Sequence, residues 1–174
     1  DCRKKHLKDD RLHRQLDKLS EVSGWKNRQK NEGYGMAITE CFESPVGQVV
    51  KVSKSAGGGI KIDHVWAVMD CGWYVNPDII KAQLEGSIVM ALGAATIHEI
   101  TYKEGLAEQE NFYYYKMPRI TDIPRIDIYI MENDADAGGV GEPGLPAFAP
   151  ALTNAIYDLT GKRIRKLPFS LEDV

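Results

Sequence analysis

One carboxylate in this chain stands in unusual company. Glu142 lies between Gly141 and Pro143, with Gly138, Gly139 and Gly144 close by. Glycine lets the backbone take positive φ and lets other atoms approach closely. Pro143 fixes its own φ and biases Glu142 towards an extended backbone. Such a loop presents one acid or base to something bound against bare backbone. The same composition also makes an ordinary tight turn, and the motif alone leaves both readings open.

GVGEPG at 139–144 also fits G-x-G-x-x-G, the dinucleotide fingerprint, and it follows a predicted strand and precedes a predicted helix. The context speaks against that function. The fingerprint needs a tight turn, but this loop is long and acidic, with Glu132, Asp134 and Asp136. A carboxylate inside the turn would repel a pyrophosphate. After the helix only 13 residues remain, too few for the rest of such a domain.

The elements that must position the loop follow from periodicity. IDIYIMEN (126–133) reads as a strand, and LPAFAPALTNAIYDLTG (145–161) as a helix burying Phe148, Leu152, Ile156 and Leu159, with Gly161 as its C-cap. Asn76 is a good N-cap and Pro77 a good first residue for a second helix, with an apolar stripe of Ile80, Leu84, Ile88, Ala91 and Ala95. Gln83 lies off that stripe, the position of a solvent-facing helical glutamine. Gly86 and Gly93 weaken this helix, which points to close approach of a sheet or a ligand. From Gly33 to Gly72 the period is two, giving three strands, with SAGGG (55–59) as a turn. A phosphate cradle at those glycines would need a helix after them, and a strand follows instead. His64 on the third strand reads as structural. Residues 3–22 read as one helix with Leu12, Leu16 and Leu19 on one face, Gly24 as its stop, and His6 and His13 on the surface. Residues 96–102 and 106–112 read as a hairpin. The aromatic run Phe112 to Tyr115 suits either a pocket lining or packing. Strands in hairpin-like groups with helices between them make the fold α+β, with a mixed, largely antiparallel sheet.

Composition bounds the rest. The chain has 174 residues, 43% of them hydrophobic and 27% charged, as in a soluble globular domain. A net charge of -3 argues against nucleic acid as a partner. Residues 1–30 carry 10 Lys and Arg against 5 Asp and Glu, so this segment is basic while the body is acidic. A solvated basic helix explains this, and a docking surface within a larger protein is the other reading. The expected organisation is a basic N-terminal helix and linker over 1–30 and one α+β domain over 31–174. Cys2, Cys41 and Cys71 are too few and too scattered for a disulfide framework or a zinc site, so no protein metal ligand is expected. No stretch reaches the length of a membrane-spanning helix. The chain opens inside a charged helical pattern without an initiator methionine, so it reads as a piece of a longer protein. The compartment, bacterial cytoplasm or periplasm, is not encoded in this stretch.

Three ordered motifs carry a resemblance: DCGWYVNPDIIKAQLEG (70–86), NFYYYKMPRITDIPRIDIYI (111–130) and GGVGEPGLPAFAPALTNAIYDLTGKRIRKLP (138–168). They resemble the C-terminal part of the molybdenum-cofactor-binding subunit of the xanthine dehydrogenase and aldehyde oxidase family. Within it they look most like the isoquinoline 1-oxidoreductase beta-subunit branch. The similarity runs from Ser23 to Leu167 and is looser over 33–53. It implies that Glu142 is the catalytic general base, taking a proton from a hydroxide on molybdenum while hydride leaves an electron-poor carbon of a heterocycle or aldehyde. It implies that Gln83 hydrogen-bonds the pterin, that Gly141 lets Glu142 approach the metal centre, and that the stretch from Gln48 to Ser53 passes near the pterin. The cofactor it implies is molybdenum-molybdopterin, in the cytosine dinucleotide form, held through the pterin's dithiolene rather than by protein ligands. The partners it implies are the N-terminal remainder of the subunit and a small subunit with two-iron two-sulfur clusters. Residues 31–174 would then be the C-terminal molybdopterin-binding domain. Gly144 stands where xanthine dehydrogenases usually have a second proline, which keeps the base but weakens any purine assignment. A piece lacking the other half of the site would be inactive and free of cofactor. The contrasting function is a non-catalytic small-molecule-binding or assembly module of similar fold.

Overall fold

Alternating apolar residues from Gly33 onward build one four-stranded sheet, and helices cover both of its faces. The computed structural model describes residues 2–174. In chain order the elements are α1 (Cys2–His6), α2 (Asp10–Val22), β1 (Glu32–Cys41), β2 (Ser44–Lys54), β3 (Ile60–Met69), α3 (Pro77–Thr96), β4 (Tyr102–Lys103), β5 (Leu106–Ala107), β6 (Arg125–Ile130) and α4 (Leu145–Thr160). The sheet order is β1-β2-β3-β6. The first three strands pair antiparallel, and β6 joins β3 in parallel after the crossover through α3. The α+β class with a mixed, largely antiparallel sheet is therefore as the sequence implies.

The period of two sorts β2 and β3 onto two cores. Val50, Val52, Val65 and Ala67 face α3 and α4, packing on Ile88, Leu92, Phe148, Leu152 and Ile156. Val49, Trp66 and Val68 face the other way, onto Leu16 and Leu19 of α2. A third cluster of Val46, Met69, Cys71, Ile80 and Leu84 closes the end of the sheet nearest the Glu142 loop. The helix signals hold in detail. The Asn76 side chain accepts from the Asp78 and Ile79 N–H groups, Pro77 opens α3, and Gly161 ends α4 with φ 74°.

Two expectations need correction. The helix expected over 3–22 is two helices, because Asp9 caps a new start by accepting from the Arg11 N–H at 2.7 Å. The hairpin expected over 96–112 shrinks to the two-residue strands β4 and β5. Thr96 remains in α3, and the Ile97 and His98 N–H groups both close on the Gly93 carbonyl. Gly93 is approached by the ring of His98 rather than by the sheet, and Gly86 faces open space. The aromatic run divides: Phe112 is 82% and Tyr113 76% exposed, whereas the Tyr115 ring packs on His98 with centroids 5.2 Å apart.

Candidate functional site

The Glu142 loop is pinned at its two ends, with Val140 packed on the third cluster and the Glu142 side chain free. At its start, Gly138 N–H donates to Cys71 O at 2.9 Å and Gly139 N–H to Phe42 O at 2.8 Å. A side chain at either glycine would collide with the tight turn between β1 and β2. A Cβ on Gly138 would lie 2.3 Å from Ser44 Oγ, and one on Gly139 would lie 2.8 Å from Phe42 Cβ. At its end, Gly144 packs on α3, where a Cβ would lie 2.2 Å from Ser87 Oγ and 2.8 Å from Leu84 Cδ2. That contact is a physical reason for glycine at the position where a second proline was the alternative. Pro143 is buried, and Leu145 N–H donates to Glu142 O at 2.9 Å, closing the turn into α4.

Glu142 projects from this pinned backbone into solvent. It is exposed, and its carboxylate has no hydrogen bond or ion pair to the described residues. Gln83 of α3 stands beside it. A Cβ on Gly141 would meet only Gln83 Nε2, at 3.6 Å, an ordinary contact. The fold thus brings together Gln83, Gly141 and Glu142, all three expected site residues. Nothing inside the chain requires glycine at 141, so its bare flank is open to a bound group. The free amide of Gln83, the bare backbone at Gly141 and the open space at Gly86 one turn further along α3 suit a flat, polar, hydrogen-bonding ligand such as a pterin. The stretch from Gln48 to Ser53 is not open to a ligand in this way. Gln48, Val49, Val50 and Val52 are all fully buried under α2 and α4. It meets the site only through Gln48, whose Nε2 donates to Gly144 O.

A buried ion pair braces the same loop from outside. Asp70 is 1% exposed and accepts from Arg11 of α2 at 2.8 Å, from Asn133 Nδ2 at 2.7 Å and from Gly72 N–H at 3.3 Å. Burial pushes the Asp70 carboxyl up, but the Arg11, Asn133 and Gly72 hydrogen bonds outweigh it and hold the group below its ordinary value. Asn133 Oδ1 in turn accepts from Ala135 N–H at 3.0 Å, and Ala135 O accepts from Trp73 N–H at 2.8 Å. Sequence reasoning missed this network, because charge partners 59 residues apart leave no periodic trace. It named Gln48 only as part of a stretch near the pterin and missed its bond to Gly144, although one amide in the valine-rich run VGQVVKV was a visible signal. His64 is structural as expected: its ring stacks on Trp66 at 3.7 Å, and Nε2 lies 2.8 Å from Asp127 across the β3–β6 pair. Cys2, Cys41 and Cys71 are free thiols.

Comparison with known proteins gives a family match over most of the chain. Residues 18–124 match the family model described as a molybdopterin cofactor-binding domain. The chain is 34% identical over 155 residues to the isoquinoline 1-oxidoreductase subunit beta of Brevundimonas diminuta, covering 86% of this chain and 20% of that protein. It is 32% identical over 127 residues to the aldehyde oxidoreductase molybdenum-binding subunit PaoC of Escherichia coli K12, covering 68% of this chain and 17% of that one. The chain therefore spans a fifth or less of these curated relatives. Among solved structures, the aldehyde oxidoreductase from Desulfovibrio gigas superposes with TM-score 0.65 at 26% identity, covering 74% of this chain and 15% of that one. Gln83 lies inside the matched family range, whereas Gly141 and Glu142 lie beyond it. With its sheet, its three motifs and these matches in agreement, the chain belongs to the molybdopterin cofactor-binding domains of the xanthine dehydrogenase and aldehyde oxidase family.

Proposed function

We propose that this chain is the part of a molybdenum hydroxylase that holds the pterin with Gln83 and presents Glu142 as the general base. The observation that supports it is the meeting of Gln83 and Gly141 beside a free carboxylate, from elements far apart in sequence. When bound, the molybdenum cofactor supplies a water-derived oxygen and takes up two electrons from the substrate. The residues of this chain do the rest. Gln83 would hold the pterin edge with one amide donor and one acceptor. Glu142 is solvent-exposed, on a backbone held at Gly139 and Gly144, and it takes up the proton released as oxygen is transferred. A base in that role must be ionised and within hydrogen-bond reach of the proton it accepts. The substrate class is an electron-poor carbon next to nitrogen in a heterocycle such as isoquinoline, or an aldehyde carbon. The cofactor form is the cytosine dinucleotide. The partners are the remainder of the subunit and a small iron-sulfur subunit, and this piece alone turns over neither substrate class.

The test is made on the full-length subunit purified with its partner. Molybdenum is expected near one per chain, with pterin released on denaturation. Glu142→Gln is expected to keep that content and to lower kcat by roughly 10²–10⁴, the range of general base catalysis. Parental kcat in this variant, or loss of molybdenum in step with activity, sinks the assignment.

A further inference from the structure

Gln48 is a buried polar group with no part in that reaction. It lies in the middle of β2, 0% exposed, among the buried valines Val46, Val49, Val50 and Val52. Across the sheet it faces Ala37 and Ala67, two small side chains that leave room for its amide. Its Nε2 donates to Gly144 O, and its Oε1 has no partner among the described residues. Burying an amide and pairing only half of it is unfavourable, and a valine would continue the strand's own pattern. The one bond Gln48 makes lands two residues after Glu142. Gly144 is gripped there from two sides: by Gln48 of β2 at its carbonyl, and by Ser87 and Leu84 of α3 at its Cα. Glu142 leaves the backbone just before this grip, and the Leu145 N–H to Glu142 O bond passes any movement of Gly144 on to it.

We infer that Gln48 is a positioning residue for Glu142, acting through the Gly144 carbonyl. The inference rests on reading Glu142 as the base. A catalytic group misplaced by about 1 Å can lose about 10²-fold in rate, so a single buried hydrogen bond to this turn is enough to matter.

The experiment uses the full-length subunit with its partner and isoquinoline as the probe. Gln48→Met keeps the length of the side chain and removes the donor. Its kcat is expected to fall roughly 10- to 100-fold, with KM and molybdenum content unchanged and faster hydrogen exchange at the Leu145 N–H. The deciding measurement is a double-mutant cycle. Groups acting as one unit are non-additive, so Gln48→Met added to Glu142→Gln is expected to leave the residual rate of Glu142→Gln unchanged. A further loss of the same factor in that background means that Gln48 does not act through Glu142, and it overturns the inference. So does parental kcat in Gln48→Met while Glu142→Gln is inactive. Parental kcat in Glu142→Gln is a different failure, that of the base itself. If Gln48→Met does not fold, Gln48→Asn, polar but one methylene short of Gly144, goes through the same cycle: an unchanged residual rate supports the inference and a further loss overturns it.

Discussion

Gln83 and Glu142 are polar side chains that the chain does not use for its own folding. Both are exposed, and neither has a hydrogen-bond partner among the described residues. Asp70 and Gln48 are the opposite, enclosed and bonded to the backbone or side chains that hold the loop. This division tells which substitutions should change stability and which should change only what the site holds. Gln83→Ala in the full-length subunit is expected to lower molybdenum and pterin content while kcat per molybdenum stays at the parental value. Its melting temperature should not fall, because alanine is the better helix former and an exposed change of this kind lies within about ±0.5 kcal/mol. Elemental analysis beside a thermal melt checks it, and unchanged molybdenum content removes Gln83 from the pterin site. Glu142 and Gln83 could be named from motif resemblance, but their adjacency could not. It depends on the angle at which α3 passes the loop, which no spacing in the sequence records.

The helix that follows Glu142 is held by residues too small to attract notice. α4 buries Phe148, Leu152 and Ile156, as its 3.6-residue period predicts, and it also buries a second stripe of Ala147, Ala151 and Ala155. That stripe lies directly on β1. A Cβ on Gly33 would sit 2.2 Å from Ala155 O, and one on Gly35 would sit 1.9 Å from Ala151 O. These are backbone atoms and cannot rotate away. Gly35→Ala therefore pushes α4 off the sheet and is expected to destabilise by about 1–3 kcal/mol, the usual cost of overpacking. For a chain of this size that is about 2–4 °C of melting temperature per kcal/mol, and an unshifted melt refutes the contact. Glycine and alanine carry a weak pattern signal, so the large residues of α4 were legible and this contact was not. The break between α1 and α2 was legible in principle, since Asp9 is a standard cap residue, but the leucine spacing ran across it. The true length of α3 was hidden in the same way. Thr96 and His98 read as β residues locally, and closure of the helix on the Gly93 carbonyl is what decides.

At the scale of the whole molecule, Arg11 and Asp70 join the N-terminal helices to the sheet end that carries the loop. The consequence is a pH dependence with a definite sign. Asp70 in the folded chain titrates below its ordinary value of 3.8, so the folded state binds this proton less readily than the unfolded state. The stability it contributes is complete above the ordinary carboxylate range and is lost as pH falls through 3.8 towards the folded value. Urea unfolding at successive pH values from about 5 down to about 3 should show a steeper loss for the parent than for Asp70→Asn, which is weaker at the upper end because Arg11 is left partly buried and unpaired. Parallel pH curves for the two proteins refute the assignment. The backbone contacts at Gly33, Gly35 and Gly144 have a further consequence, for genetics. In a saturation screen scored by growth, those positions are expected to accept as few substitutions as the proposed base Glu142, although no chemistry is proposed at them. Intolerance to mutation in this domain therefore marks where backbones touch as strongly as where protons move. Only a screen that counts folded protein separately from turnover would tell the two apart.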